Sequence, residues 1–177
     1  KFPKGGIYFF TLVTYQRQPI FSSWRVSALF RDAMKKVQTN HPFEQLAYCL
    51  LPDHIHFIWQ MPENDANYSM RIGLIKRYFS MEFVKLGGER IPRSTSRIKR
   101  REVAIWQRRF WEHLIRDQED LNRHIDYIHY NPVKHGFAKR PADWDSSSFM
   151  DYLRDGFYDL GWGETYKKDE EKHKFGE

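Results

Sequence analysis

Glu44-Gln-Leu-Ala-Tyr-Cys-Leu-Leu-Pro-Asp-His-Ile-His-Phe-Ile-Trp-Gln-Met61 contains two strand-like runs, Glu44 to Leu51 and His54 to Met61, parted only by Pro52 and Asp53. Proline pre-sets a turn dihedral and aspartate tolerates turn backbone, so the stretch reads as a β-hairpin. Upstream, Ile7 to Thr14 is β-branched and aromatic and reads as a strand covered on both faces. A helix follows, opened by Ser22-Ser23, striped by Val26, Phe30, Met34 and Val37, and stopped by Asn40 and Pro42. Downstream of the hairpin, the spacing predicts a helix from Tyr68 to Leu86 with Met70, Leu74, Tyr78 and Met81 on one stripe and Gly87-Gly88 as its stop. A short strand is expected within Val103 to Ile115, then a helix from Gln118 to Tyr130 closed by Pro132. Strand, helix, strand, strand, helix, strand is the order of a ferredoxin-like split βαβ sheet, an α+β fold with four antiparallel strands backed by two helices. The last helix is an addition to it.

One domain is expected over residues 1–163, with a charged, flexible tail over 164–177. The basic stretch Arg90 to Arg101, interleaved with Ser, Thr and Pro, reads as an exposed connector. The longest apolar run, Ile7 to Val13, falls far short of the ~20 residues that span a bilayer, so no membrane partner is expected. A lone cysteine, Cys49, cannot form an internal disulfide, and a reducing, cytoplasmic setting fits. Lys and Arg outnumber Asp and Glu by 29 to 23, and 17% of the chain is aromatic. Phosphates need cations and unstacked bases need flat partners, so this composition points toward nucleic acid.

His54-Ile-His56 is the sharpest local feature, because side chains two apart on a strand share a face and both imidazoles can converge on one cation. Eight histidines would give about 0.4 such pairs by chance, so the pair alone decides little. The late helix adds to it. At about 100° per residue, Tyr127 and Asn131 fall together on one flank of the Leu121, Ile125, Ile128 stripe, whereas Tyr130 points nearly opposite. A phenol beside a divalent cation can act as a nucleophile toward a phosphodiester. The alternative for Tyr127 is a boundary tyrosine with a buried ring and a wet hydroxyl. Glycine-rich phosphate loops, paired-cysteine zinc spacings, nucleophile elbows, zinc-protease helices and the aromatic signature of RNA-binding sheets are all missing from the sequence.

Four segments then point to one family: Tyr8-Phe-Phe-Thr-Leu-Val-Thr-Tyr-Gln-Arg-Gln-Pro-Ile-Phe21, Leu51-Pro-Asp-His-Ile-His-Phe-Ile-Trp59, Trp106-Gln-Arg-Arg-Phe-Trp-Glu-His-Leu-Ile-Arg116 and Asp126-Tyr-Ile-His-Tyr-Asn-Pro-Val-Lys-His-Gly136. In order and spacing, from about Gly6 to Trp144, they resemble the REP-associated tyrosine transposases, relatives of the single-tyrosine insertion-sequence enzymes. The resemblance implies that His54 and His56, the histidine–hydrophobe–histidine (HUH) pair, bind a divalent metal, magnesium or manganese, with zinc as a structural ion the alternative. It places the nucleophile at Tyr127 and puts Asn131 where related enzymes carry a ligating Gln. It also implies cleavage and joining of single-stranded DNA hairpins, the repetitive extragenic palindromes, through a 5′-phosphotyrosine and without a nucleotide cofactor. The enzyme would be a nucleoid-associated monomer, with a dimer the alternative. Arg17, Lys76, Arg77, Arg108, Arg109 and Lys134 are expected to contact phosphate, and Trp106, Trp111 and His113 to stack on or read unpaired bases, against the alternatives of solvated charge and core packing. A hairpin-binding regulator that does not cleave is the rival function, and an RNA-binding sheet module a poorer one.

Overall fold

The computed structural model describes residues 5–88, 94–99 and 104–164. All but the first residue of the tail expected over 164–177, and most of the basic stretch between residues 89 and 103, lie outside the described residues. Within that stretch, residues Thr95–Lys99 form a short helix, α3.

The strands are β1 (Ile7–Val13), β2 (Glu44–Leu50), β3 (His54–Gln60) and β4 (Trp111–Leu114), and the sheet order is β2-β3-β1-β4 with every neighbour antiparallel. With α1 (Trp24–Asn40) and α2 (Tyr68–Lys85) as crossovers, this is the expected α+β split βαβ sheet. Pro52 and Asp53 make the hairpin turn, closed by the Leu51 amide donating to the His54 carbonyl at 2.9 Å. β3 is an inner strand rather than an edge, flanked by β1 and β2.

Alternation along the strands separates two cores. Tyr8, Phe10 and Leu12 of β1 and Ile55, Phe57 and Trp59 of β3 face α1 and α2, where Val26, Phe30, Met34 and Val37 are buried as the sequence spacing predicts. On α2 the buried stripe is Ile72, Ile75, Phe79 and Phe83, a correction to the expected one: Leu74 and Tyr78 are only partly buried, and Met81 is exposed. Both sets satisfy helical spacing, and the face carrying β-branched and aromatic bulk is the one that fills the core. Gly87 ends the run at φ +84°, a left-handed conformation that glycine adopts without strain.

Helix α4 (Gln118–Lys134) covers the second face, on which Phe9, Ala47, Cys49 and Ile58 meet Ile125, Tyr127 and Ile128. It starts as expected, with the Asp117 carboxylate accepting from the Asp120 amide at 2.8 Å. It does not stop at Pro132. Only the ring's missing N–H is lost so close to the end, and burial of Tyr127, Ile128, Asn131 and Pro132 holds the helix on to Lys134. Beyond it, Ser146 to Ser148 cover the outer edge of β2, with the Leu50 amide donating to the Ser146 carbonyl at 2.8 Å and the Ser148 amide to the Tyr48 carbonyl at 3.0 Å. Phe149–Arg154 forms a last short helix, α5. No helix among the described residues is long and apolar enough to cross a membrane.

Candidate active site on the α4 face of the sheet

His54 and His56 open β3 on the face that α4 covers, and both are buried. Each ring is held at Nδ1 by an oxygen, from the preceding turn residue for His54 and from β1 for His56. His54 Nδ1–H donates to the Asp53 carboxylate at 2.6 Å, and His56 Nδ1 lies 2.9 Å from the Thr11 hydroxyl across the β1–β3 register. Anchoring at Nδ1 turns Nε2 toward any ligand, the usual arrangement of a metal-binding imidazole. Burial raises the Asp53 pKa, but the His54 and Arg17 contacts outweigh it and keep the group below its ordinary value and charged. Arg17 reaches Asp53 at 3.1 Å from a left-handed backbone shared with Gln16, with φ of 51° and 54°.

Helix α4 lays a polar stripe over this face: Asp120, His124, Tyr127 and Asn131 recur at helical spacing and are all buried. The Tyr127 ring stands 5.2 Å from that of His56, edge to face, and 6.1 Å from Phe9. One turn past the end of the stripe, His135 stands 5.1 Å from His54. Asn131, buried on the same helix, lies between Tyr127 and His135 along the chain. The continuation of α4 past Pro132 is what brings Lys134 back, with its ammonium 5.0 Å from the Tyr127 ring centre. Tyr130 faces the other way, against Trp162 at 6.5 Å, as its helical angle predicts.

A second group of ligating type occupies the β4 end of the stripe. His113, Asp120 and His124 bring their ligand atoms within 4.8 Å of one another. His113 Nε2 lies 2.9 Å from the Asp120 carboxylate, and His113 and His124 stack at 4.7 Å. Burial opposes the charge on Asp120, yet the hydrogen bonds from His113 and the Arg116 amide hold its carboxyl far below the usual range. Burial likewise lowers the His124 pKa. Arg116 and Arg123 also approach Asp120, at 3.3 and 3.7 Å, so its charge is offset by protein cations, and the group reads as a polar staple between β4 and α4.

The remaining expected contact residues are dispersed. Trp106 is a core residue, its ring packed among Phe21, Phe30 and Phe79 at 5.3 to 5.9 Å, which is the packing alternative rather than base stacking. Trp111 is half exposed on β4. Lys76 and Arg77 sit on α2, in the layer opposite α4; Lys76 reaches across to the Gln107 carbonyl at 3.1 Å. Arg108 donates to Ser96 at 2.9 Å, and Arg109 is exposed beside it. Sequence reasoning missed Thr11, Asp53, Asp120, His124 and His135. Only the run 120, 124, 127, 131, 135 signalled some of them, as an unbroken polar helical face.

With this geometry in hand, comparison with known proteins identifies the chain's relatives. The Transposase IS200 like family matches residues 4–131. This chain belongs to that family. It is 47% identical over 162 residues to a Haemophilus influenzae protein assigned to the REP-associated tyrosine transposases, covering 92% of this chain and 90% of that one. It is 38% identical to the REP-associated tyrosine transposase of Escherichia coli K12 over 159 residues, 90% of this chain and 86% of the relative. The solved structure of a REP-associated tyrosine transposase bound to a REP hairpin superposes with a TM-score of 0.75 at 34% identity, covering 95% of this chain and 92% of that one. The fold and the transposase family membership are therefore those the resemblance implied.

Proposed function

We propose that this chain cleaves and rejoins single-stranded DNA folded into short hairpins, with Tyr127 as nucleophile and His54, His56 and Asn131 as ligands of a divalent cation. The observation that carries the reading is the Tyr127 ring set 5.2 Å from that of His56 over a buried histidine pair. Two imidazoles and an amide oxygen would hold manganese better than magnesium, which prefers oxygen ligands, and each imidazole is oriented by its own Nδ1 partner. Such a cation would offset charge on a non-bridging oxygen of the scissile phosphate.

The residues of the chain do the rest. Tyr127 Oη bonds to phosphorus as the bond to the 3′ oxygen breaks; the phenol gives up its proton, and the departing oxygen takes one up. The products are a 5′-phosphotyrosine and a 3′-hydroxyl, one phosphodiester exchanged for another, so rejoining needs no nucleotide cofactor. Lys134, stacked on Tyr127, and Arg17, beside Asp53, would contact phosphate at the site, with the exposed Arg108 and Arg109 tracking the strand further out; Lys76 and Arg77, across the sheet on α2, lie off that path. The relative solved with a REP hairpin makes a hairpin the substrate to try first. We take residues 1–163 as one domain, acting as a monomer on chromosomal DNA in the cytoplasm.

The test is a denaturing-gel assay with a labelled hairpin strand carrying a free 5′ flank. Wild type with magnesium or manganese should yield a protein-linked fragment, excess chelator should abolish it, and blunt duplex should give none. Tyr127→Phe should lose the adduct and Tyr130→Phe keep it. Tight hairpin binding without any adduct would instead establish the non-cleaving regulator.

A further inference from the structure

The two edges of the sheet are treated differently. Ser146 to Ser148 cover β2, whereas among the described residues no strand pairs with the outer edge of β4, where Trp111 stands. The register fixes where that indole lies. Trp111 is the cross-strand partner of Thr11, and Thr11 is the partner of His56, so the three occupy one row. Phe110 and Leu114 pack toward the α1 and α2 core, while His113 reaches Asp120 on α4, which puts Trp111 on the α4 face with the candidate site. At about 4.8 Å between strands, His56 and Trp111 are only ~10 Å apart along the row. Thr11 and His56 are buried, yet Trp111 is 46% exposed. Arg108 and Arg109, both exposed, precede it by three and two residues, and the exposed Glu112 that follows it belongs to the opposite face by strand alternation.

An exposed tryptophan shortly after two exposed arginines, two strands along the row from the histidine that would help grip a phosphate, has the chemistry of a nucleotide platform: a flat π-face for a base, with cations for the backbone. We propose that Trp111 stacks on the base of the nucleotide that flanks the scissile phosphate, and so fixes which phosphate is presented to Tyr127. The proposal rests on the cleavage reading above. It assigns Trp111 a positioning role, distinct from recognition of the hairpin stem.

The experiment uses the full chain and hairpin strands in which one abasic nucleotide is moved stepwise through the flank, with binding measured at fixed salt in chelator and adduct measured with metal. Trp111→Ala should weaken binding of the intact strand about tenfold. An abasic nucleotide adjoining the mapped cleavage point should erase the difference between wild type and variant, and abasic nucleotides further out should not. Trp111→Phe should restore most of the affinity, and Trp111→Ala should scatter cleavage over neighbouring phosphates. Phe157→Ala, at a still more exposed ring two residues after Asp155, should change neither readout. An adduct from wild type together with unchanged binding and unchanged cleavage position in Trp111→Ala overturns the platform alone. Equal losses on every abasic strand do the same. No adduct from wild type overturns the cleavage reading and this one with it.

Discussion

Neighbouring residues on β3 have opposite surroundings. Ile55, Phe57 and Trp59 enter a core of aromatic and aliphatic side chains under α1 and α2, with Trp59 stacked on Phe43 at 3.9 Å. His54 and His56, interleaved with them, enter a face where Thr11, Tyr127, Asn131, His124 and Asp120 are also buried. Burying so many polar groups is costly unless they are mutually bonded, and here hydrogen bonds to the Asp53 and Asp120 carboxylates and with the Thr11 hydroxyl orient the imidazoles. The difference teaches that one face of the sheet supplies the stability that lets the other hold a polar site in fixed geometry. Tight apolar packing on the α1 and α2 side lets the site side give up part of its hydrophobic contact.

The comparison predicts that the two faces fail in different ways. The largest effects should be mirror images. Tyr127→Phe should lower adduct formation on the order of a thousandfold or more while the melting curve stays in place. Trp59→Ala, on the opposite face, should cost about 3–5 kcal/mol of stability, read from denaturant melts. Should Tyr127→Phe unfold the chain, the division between the faces would fail. Next comes Thr11→Val, which keeps the shape but removes the hydroxyl at His56 Nδ1. Metal-supported cleavage should fall about 10–100-fold with little change in stability, whereas Leu12→Ala, one residue along and facing the other core, should cost about 2–5 kcal/mol.

The last effects concern pH, and they locate acid sensitivity around α4. His129, buried between Ser148 and Tyr158, has its pKa lowered by burial to about 3. The unfolded chain therefore binds a proton that the folded one refuses, and stability should decline as pH falls from about 6.5 toward the folded value. Asp120, held low by His113 and the Arg116 amide, adds a second decline that begins only near pH 4, the unfolded carboxylate value. Melting temperature followed against pH should show both stages. His129→Gln should flatten the first and Asp120→Asn the second, and an unchanged profile in either variant would remove that group from the account.

Much of this was legible in the chain. The hairpin around Pro52-Asp53, the alternation of β1 and β3 and the order of elements follow from spacing, because strand and helix periods are local properties of the backbone. The pairing of Tyr127 with Asn131, and the exclusion of Tyr130 from their flank, needed only helix geometry. Other features were hidden. Two stripes on α2 satisfied the same period, and only the cavity they had to fill selected Ile72, Ile75, Phe79 and Phe83. Pro132 reads as a helix stop from local rules, and only the burial of the last turn carries α4 on to Lys134. Trp106 carries the same side chain whether it stacks on a base or on Phe79, and only the surroundings separate it from Trp111.

The sequence by itself determined the strand and helix identities, the shared face of His54 and His56 and the outward turn of Tyr130, since each depends on residues close together along the chain. Only the tertiary structure decided that His56 meets Thr11 and Tyr127, that His54 meets His135, that Asp120 on α4 meets His113 on β4, and that Trp111 shares a row with His56. Those meetings depend on strand register and on which face α4 covers, and both are set by contacts between residues tens of positions apart, whose distances no local period encodes.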